Sequence, residues 1–294
     1  MILVIGANGT VGSHVVHQLV EAGRKVRVLA RDASKATKHG KDAEIAVGDL
    51  ARPETLGPAF SGVVKVFLLS NGPEQIEAQA IDAAKAARVA HIVKLSSMGF
   101  GPERDALTVG NWHRAAEAHL QASGVAWTIL RAGGFSTNAL GWVHTINTKD
   151  AAFAATGDGK VAVIDPRDLA AVAVTALTQP GHEGKSYELT GPEALSLGEQ
   201  VVRIGAAVGR SLRFADIPAA AARDAMLQTG MPAPLVERML EVMAAIKAGG
   251  AATVSPDVPR VLGRAARTFS DWARENAAAF ERHPVHVKGD PGAA

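Results

Sequence analysis

Short apolar segments alternate with amphipathic ones along the first two thirds of the chain. Residues 2–5 are continuously apolar, and the apolar positions within 10–21 recur at the three- and four-residue spacing of a helix. The pattern predicts further strands at 26–30, 45–47, 64–69, 91–95, 126–130 and 186–189. It predicts helices at 74–88, 111–123 and 168–177, the last capped by Asp168, and a short helix near Pro53. This alternation is typical of βαβ units around a parallel sheet.

The pattern changes beyond residue 197, and the run 190–192 just before it is the nearest thing to a domain boundary. Helical spacing dominates the remaining segment, and 212–214 is its one strand-like run. Helices are predicted there at 200–208, 219–228, 234–248 and 269–280. We therefore expect an α/β protein with a doubly wound parallel sheet of the Rossmann type over 1–192, including a substrate-side excursion at about 133–160. A smaller, mainly helical substrate-side subdomain is expected over 193–294.

Composition narrows the class of protein. The chain has 294 residues and no cysteine, which excludes disulfides, thiolate zinc sites and a cysteine nucleophile. Lysine and arginine (31) nearly balance aspartate and glutamate (29), and the basic residues within 24–41 have no aromatic residues among them, so no nucleic-acid partner is expected. No apolar run approaches the ~20 residues that span a bilayer, and the first strand begins at residue 2. We expect a cytoplasmic protein with no membrane contact and no metal.

The first strand leads directly into a glycine-rich turn, Gly6-Ala7-Asn8-Gly9-Thr10-Val11-Gly12. Gly6 permits a tight turn, Gly9 lets the backbone approach a pyrophosphate, and Gly12 allows the following helix to pack closely on the strand. A pyrophosphate there meets backbone N–H groups and the positive end of a helix dipole. The alternative is a glycine turn without a ligand. The predicted dinucleotide contacts of the turn are Gly6, Asn8, Gly9, Thr10, Val11 and Gly12.

The end of the second strand bears on the choice of nicotinamide cofactor. Arg31 stands where NAD enzymes usually place an acidic residue, and a guanidinium suits a 2′-phosphate. We therefore expect NADP(H) to be preferred, with NAD(H) as the second option because Asp32 follows one position later. Asp49 is expected to hold the adenine, or alternatively to cap a helix. The remaining predicted cofactor contacts are Leu50, Leu69, Ser70 and Ser96.

Several segments together resemble a known family. They are 4–12, 28–31, 48–50, 93–97, 123–131, 165–170, 187–192 and 267–272. The chain resembles an atypical short-chain dehydrogenase/reductase of the NmrA-like type, a group that includes NADPH-dependent quinone reductases, triphenylmethane-dye reductases and non-catalytic redox sensors. The resemblance covers nearly the whole chain and implies the fold and the cofactor class, but no particular substrate.

The chain departs from the wider superfamily in its chemistry. The superfamily uses Tyr-x-x-x-Lys as a proton-donor pair, whereas Tyr187, the one tyrosine of this chain, is followed four residues later by Gly191. NmrA-like quinone reductases often carry Glu-Lys late in the helix predicted at 111–123, and here Ala118 replaces that lysine after Glu117. The tyrosine-dependent mechanism is therefore not expected.

Other side chains are candidates for the missing proton donor. His113 and Glu117 are four residues apart and share one helix face, so a carboxylate-oriented histidine is one interpretation and a surface ion pair is the other. Ser96, at the end of its strand, is placed to bind a carboxamide or a substrate oxygen, or to cap a turn. The catalytic candidates are thus His113, Glu117 and Ser96.

These features favour a particular kind of reaction. Hydride addition to a quinone leaves a phenolate-like oxygen with a pKa of about 10, which water or a weak donor can protonate. We expect an NADPH-dependent reductase that acts without flavin on a quinone-like or polycyclic aromatic substrate, in aromatic secondary metabolism, with a homodimer as one assembly. The alternative is a non-catalytic NADP(H)-binding redox sensor that acts through a protein partner. The predicted substrate contacts are Trp112, Phe135, Trp142 and His144.

Overall fold

The computed structural model describes residues 1–70, 74–99 and 108–282, without the side chains of 37, 74 and 108–112. The strands are β1 (Ile2–Val4), β2 (Val26–Ala30), β3 (Glu44–Val47), β4 (Lys65–Leu68), β5 (His91–Ser97), β6 (Ala126–Ala132), β7 (Ala151–Ala154), β8 (Lys160–Val161), β9 (Lys185–Leu189), β10 (Leu195–Ser196) and β11 (Arg213–Asp216). The helices are α1 (Thr10–Glu21), α2 (Gly57–Phe60), α3 (Glu74–Ala86), α4 (Thr108–Ala122), α5 (Val143–Lys149), α6 (Pro166–Thr178), α7 (Leu197–Val208), α8 (Ala219–Gln228), α9 (Ala233–Lys247), α10 (Asp257–Leu262) and α11 (Phe269–Glu275).

Seven strands form one parallel sheet in the order β3-β2-β1-β4-β5-β6-β9. The order reverses between β1 and β4, so the chain winds outward from the middle of the sheet in both directions. Ligands of such sheets bind outside the carboxyl ends of the strands at this reversal. The expected α/β fold of the Rossmann type is confirmed.

Both faces of the sheet are covered, which explains the continuously apolar strands. Ile2 and Val4 point into the main core with α1 and α6, whereas Leu3 and Ile5 point into a second core with α2, α3 and α4. Successive strand residues face opposite sides, and a strand buried on both sides has no polar positions in its pattern. A charged residue within such a strand must therefore find a buried partner.

The C-terminal segment forms two small sheets with the short strands that follow β6. β11 pairs in parallel with β7, and β10 pairs antiparallel with β8. A third apolar cluster collects residues of α5, α7, α9 and α11 around these short strands. The C-terminal segment also reaches the main core, where Val258 of α10 packs with α6. The boundary at residue 192 stays a prediction.

The N-terminus of α6 differs from the prediction. Asp165, not Asp168, is the capping residue, since its carboxylate accepts the Arg167 backbone N–H at 2.8 Å and Pro166 opens the helix. Asp168 is fully buried instead, and it accepts a bond from the Arg264 guanidinium at 2.7 Å and from the Arg267 backbone N–H at 2.6 Å. The carboxylate that was expected to cap the helix thus ties the 264–267 segment to the sheet domain.

Within the described residues, every helix is too short or too polar to cross a membrane.

Candidate functional site

An open cleft of about 510 Å³ lies at the carboxyl ends of β1, β2 and β4, where the strand order reverses. It therefore occupies the position at which sheets of this type bind nucleotides. Eight of the predicted cofactor contacts line it: Gly6, Asn8, Gly9, Arg31, Asp49, Leu50, Leu69 and Ser70.

The glycine turn forms one wall of the cleft, and two of its glycines are fixed by close packing. Gly6 has a φ of +82°, and an added Cβ would lie 2.6 Å from the carbonyl oxygen of Leu69. A Cβ on Gly12 would lie 2.1 Å from the Gly6 carbonyl oxygen, so α1 packs directly against the turn. Gly9 differs, because it is exposed and has an ordinary φ of −78°. Its missing side chain leaves room on the cleft side.

The remaining predicted residues of the turn belong to the first turn of α1. Thr10 is exposed and Val11 is buried in the main core, so Val11 offers only its backbone to a ligand. No side chain caps this helix. Backbone N–H groups of an uncapped first helical turn attract anions.

Basic side chains lie on the side of the cleft next to β2. Arg31 and Lys35 line it, and the ammonium group of Lys38 donates to the carbonyl oxygen of Asn8 at 3.4 Å. The carboxylate of Asp32 accepts the backbone N–H of Ser34 at 2.9 Å. These hydrogen bonds from Ser34 hold the pKa of Asp32 below its usual value. The carboxylate thus has a local structural partner, whereas the arginine beside it faces the cleft.

Asp49 does not cap the 3-10 segment that follows it, and its contact with the adenine stays a prediction. It lines the cleft, and its carboxylate accepts the backbone N–H of Ala51 at 3.0 Å, which stabilises the turn before the 3-10 segment Pro53–Thr55. The cleft as a whole fits a dinucleotide. It offers a turn that an additional Cβ would obstruct, an uncapped helix and cationic side chains beside the second strand.

Ser96 and Glu117 are brought together, but not with His113 as the centre. The Ser96 hydroxyl donates to the buried Glu117 carboxylate, which also accepts from Arg131 at 2.6 Å and from Arg114 at 3.1 Å. Burial raises the pKa of Glu117, but the hydrogen bonds and charges of these donors outweigh it, so the net pKa is below the usual value. Glu117 is therefore an ionised anchor between α4, β5 and β6.

His113 has a partner that the sequence analysis missed. Its Nδ1 lies 3.4 Å from the ammonium nitrogen of Lys94, and burial together with that positive charge lowers the pKa of His113 to about 3. The interpretation of His113 and Glu117 as a surface ion pair is wrong, because Glu117 is buried, whereas the role of His113 as a proton donor stays a prediction. The sequence did contain a sign of this contact. Lys94 lies between Val93 and Leu95 in a strand with both faces buried, so its charge needs a buried partner.

The predicted substrate contacts do not form one lining. The side chain of Trp112 lies outside the described residues. Phe135 packs against the main core, Trp142 packs against the third apolar cluster, and His144 is exposed on α5. The space beside Gly134 is taken by Val161, whose Cγ1 would lie 3.0 Å from an added Cβ.

Tyr187 lies in β9, three strands from β4 in the sheet, and is 7% exposed. Its hydroxyl lies 2.9 Å from Nδ1 of His182, and burial raises its pKa. It does not line the cleft. Among the described residues, no group of three or more His, Asp or Glu side chains is placed to hold a metal ion.

Comparison with known proteins supports a nicotinamide cofactor. The family described as NAD(P)H-binding matches residues 6–180. An NAD(P)H azoreductase of Xenophilus azovorans is 42% identical over 284 residues, which covers 95% of this chain and 99% of that protein. A (4-alkanoyl-5-oxo-2,5-dihydrofuran-3-yl)methyl phosphate reductase of Streptomyces griseus is 40% identical over 281 residues, with 95% and 99% covered.

Among solved structures, an NADPH-dependent quinone oxidoreductase of Escherichia coli, in complex with NADPH, superposes with a TM-score of 0.85 at 26% identity. The match covers 94% of this chain and 99% of that one. The family match spans more than half of the chain and begins at the glycine turn that follows β1. The chain therefore belongs to the NAD(P)H-binding family, as an oxidoreductase of the NmrA-like, atypical short-chain dehydrogenase/reductase type that its sequence motifs indicate.

Proposed function

We propose that this oxidoreductase uses NADPH to reduce conjugated, electron-poor aromatic compounds of the quinone or azo class. The observation that carries the proposal is the placement of the chain's single tyrosine, which is buried in β9 away from the cleft. A reduced ketone leaves a strongly basic alkoxide and needs a positioned acid. A reduced quinone leaves an oxygen with a pKa of about 10, which water can protonate. A site without a phenol donor suits the second product.

The proposed reaction is a hydride transfer from a cofactor that the residues of the cleft would bind. The bound cofactor supplies a hydride, which carries both electrons, so no flavin is needed. The glycine turn and the N-terminus of α1 would bind the phosphates, and Leu69 and Ser70, which follow β4, line the cleft beside them. The Ser96 hydroxyl donates its proton to Glu117. The lone pairs of the serine oxygen therefore stay available to accept a hydrogen bond from an amide such as a carboxamide.

The relatives support the same substrate class. One is named an azoreductase, one a dihydrofuranone reductase and one a quinone oxidoreductase. Azo, furanone and quinone groups share a conjugated electrophile that accepts hydride. What these substrates share is a conjugated, electron-poor group that accepts hydride. We therefore expect the substrate of the present protein to carry such a group.

Turnover tests the proposal directly. With NADPH, the protein is expected to reduce naphthoquinones and azo dyes, and with NADP⁺ it is expected not to oxidise simple alcohols. Stopped-flow absorbance at the nicotinamide band measures both reactions. A protein that binds NADPH tightly but oxidises it with no member of such a panel is not a reductase of this class. That outcome would favour the sensor hypothesis, and a pull-down with and without NADPH would follow.

Cofactor preference is a separate expectation. NADPH should bind at least about tenfold more tightly than NADH, because Arg31 faces the cleft where a 2′-phosphate would lie. Arg31→Ala should remove most of that preference, a loss of about 1–3 kcal/mol for a charge-assisted contact. Titration calorimetry with both cofactors measures it. Arg24→Ala, an exposed arginine beyond the C-terminus of α1, is the matched control. Equal affinities in the unmodified protein would contradict this prediction.

A further inference from the structure

A second opening lies beyond the carboxyl ends of β5, β6 and β9, and we call it the β6 crevice. Its volume of about 20 Å³ is the room of a single water-sized group. Backbone and small side chains form most of its lining, which includes Gly133, Gly134, Ala162, Gly250 and Ala251. The position of the β6 crevice and the freedom of its walls decide what it can hold.

The β6 crevice continues the cofactor cleft along the edge of the sheet. In the register of the parallel strands, Leu68 of β4 lies beside Lys94, and Ser97 of β5 lies beside Ala132. The residues that follow β4 line the cleft, whereas Met98, which follows β5, lines the β6 crevice. Neighbouring strands are about 4.8 Å apart. A dinucleotide that extends from the glycine turn past β4 would therefore bring its far end to the β6 crevice.

Gly133 is the wall residue at which a side chain would fill the β6 crevice. It is not among the glycines with a positive φ, so its backbone conformation does not require glycine. A Cβ added there would lie 3.4 Å from the carbonyl oxygen of Ala162 and 3.6 Å from Cγ2 of Thr190. Both are ordinary van der Waals distances, and both residues line the β6 crevice. An alanine thus fits the folded chain, but its methyl group would occupy the opening.

One wall of the β6 crevice belongs to a short connecting segment, residues 249–254, which we call the strap. The strap begins at Gly249, which has a φ of +84°. It ends at the buried Ser255, whose backbone N–H donates at 2.9 Å to the threonine that follows β9. Between these ends, the carbonyl oxygen of Ala251 accepts the backbone N–H of Ala162 at 3.1 Å. An outward shift of the strap exchanges that bond for bonds to water and widens the β6 crevice.

We propose that the β6 crevice receives the flat ring of the aromatic acceptor when the strap moves outward, and that Gly133 determines which acceptors fit. The inference rests on the proposed function for the chemistry of the ring. Walls without bulky side chains allow a planar ring to lie at van der Waals distance on both of its faces. A branched or saturated acceptor is thicker and would meet the walls. Gly133 is thus a specificity-determining residue.

Turnover of Gly133→Ala tests this role. With a naphthoquinone and NADPH, KM should rise by about tenfold or more, the usual effect of one methyl group that does not fit a pocket. The Kd for NADPH should stay within about twofold, because the substitution lies outside the cleft. Gly141→Ala adds the same methyl group at a position where a Cβ meets nothing within 4 Å, and should leave both constants unchanged. A folded Gly133→Ala protein with an unchanged KM would refute the proposal.

Binding of an unreactive ring separates this inference from the proposed function. 1-Naphthol has the ring system of a naphthoquinone but accepts no hydride. In calorimetry with saturating NADPH, it should bind to the unmodified protein and about tenfold more weakly to Gly133→Ala. If the unmodified protein reduces no quinone or azo compound, the proposed function fails, whereas this measurement still decides the role of the β6 crevice. Equal affinities, or no binding of 1-naphthol, would overturn the assignment of the crevice.

The absence of cysteine from the chain permits a direct test of the strap. Ala162→Cys places a single thiol in the wall, at a position that is 1% exposed. A small thiol reagent should modify it in the folded protein, and saturating 1-naphthol with NADPH should suppress most of that reaction. Ala170→Cys, fully buried in the main core, is the matched control and should react only when the whole protein unfolds.

Two outcomes would contradict the strap. If Ala162→Cys reacts no faster than Ala170→Cys, the strap does not open in the folded protein. If Ala162→Cys reacts quickly but 1-naphthol gives no protection, the strap opens without admitting the ring. Either result would overturn the proposal.

Discussion

Gly9→Val is expected to abolish dinucleotide binding while the protein stays folded. Gly9 is exposed and has a φ of −78°, so a side chain causes no backbone strain. An added Cβ would lie 3.3 Å from the Gly6 carbonyl oxygen, which a small adjustment accommodates. The branched methyl groups would occupy the space that a pyrophosphate needs. Calorimetry with NADPH should show no binding, and the thermal midpoint should move by no more than about 2–4 °C.

Two other glycines make this test specific. Gly57→Val introduces the same side chain at the start of α2, where an added Cβ meets nothing within 4 Å, and should bind NADPH normally. Gly12→Val should unfold the protein, because its Cβ would lie 2.1 Å from a backbone oxygen. If Gly9→Val and Gly57→Val bind NADPH equally well, the glycine turn is not the phosphate site.

Acid should destabilise the protein well before its carboxylates titrate, and His91 should be a principal cause. His91 is 2% exposed, and its Nδ1 has no hydrogen-bond partner among the described residues. Burial, and then the positive charge of Lys65, lowers its pKa from 6.5 to about 4. The unfolded chain therefore binds more protons between these two values, so the free energy of unfolding falls as the pH drops from about 6.5 to about 4. The shift corresponds to about 3 kcal/mol across this window.

Urea unfolding at several pH values measures this slope. His91→Gln should flatten the slope of the free energy of unfolding against pH between pH 6.5 and 4. The slope is measured within each variant, so a change in the stability of His91→Gln at neutral pH does not affect the test. His144→Gln, at an exposed position on α5, should leave the slope unchanged. His113 contributes in the same direction, so a residual slope is expected. A slope in His91→Gln equal to that of the unmodified protein would show that His91 is not responsible.

Strands of the main sheet were the most predictable part of the fold. The predicted 26–30 strand coincides with β2, and the predicted 10–21 helix coincides with α1. β7 was missed because three of its four residues are alanine, which has a low strand propensity, and its partner β11 is about 60 residues away. The helix predicted at 269–280 breaks after Glu275 and continues as a 3-10 turn at Ala277–Phe280.

The cofactor cleft was also predictable, because its signals are local. A glycine turn between a strand and a helix, and an arginine after the next strand, each occupy a few consecutive residues. The residues near β5 and α4 were not predictable in the same way. Helical spacing paired His113 with Glu117, but it could not show that Arg131 of β6 would take the carboxylate. That contact depends on the register between β5 and β6, which places Ser96 beside Arg131.

The sequence by itself determined the doubly wound sheet, the dinucleotide turn and the family, since apolar periodicity and turn chemistry act over short stretches of chain. Only the tertiary structure decided the protonation chemistry. Lys94 and His113 come from different elements, and burial together with the positive charge of Lys94 lowers the pKa of His113. The physical reason is that desolvation and charge pairing depend on what surrounds a group in space, and a sequence pattern records only what precedes and follows it.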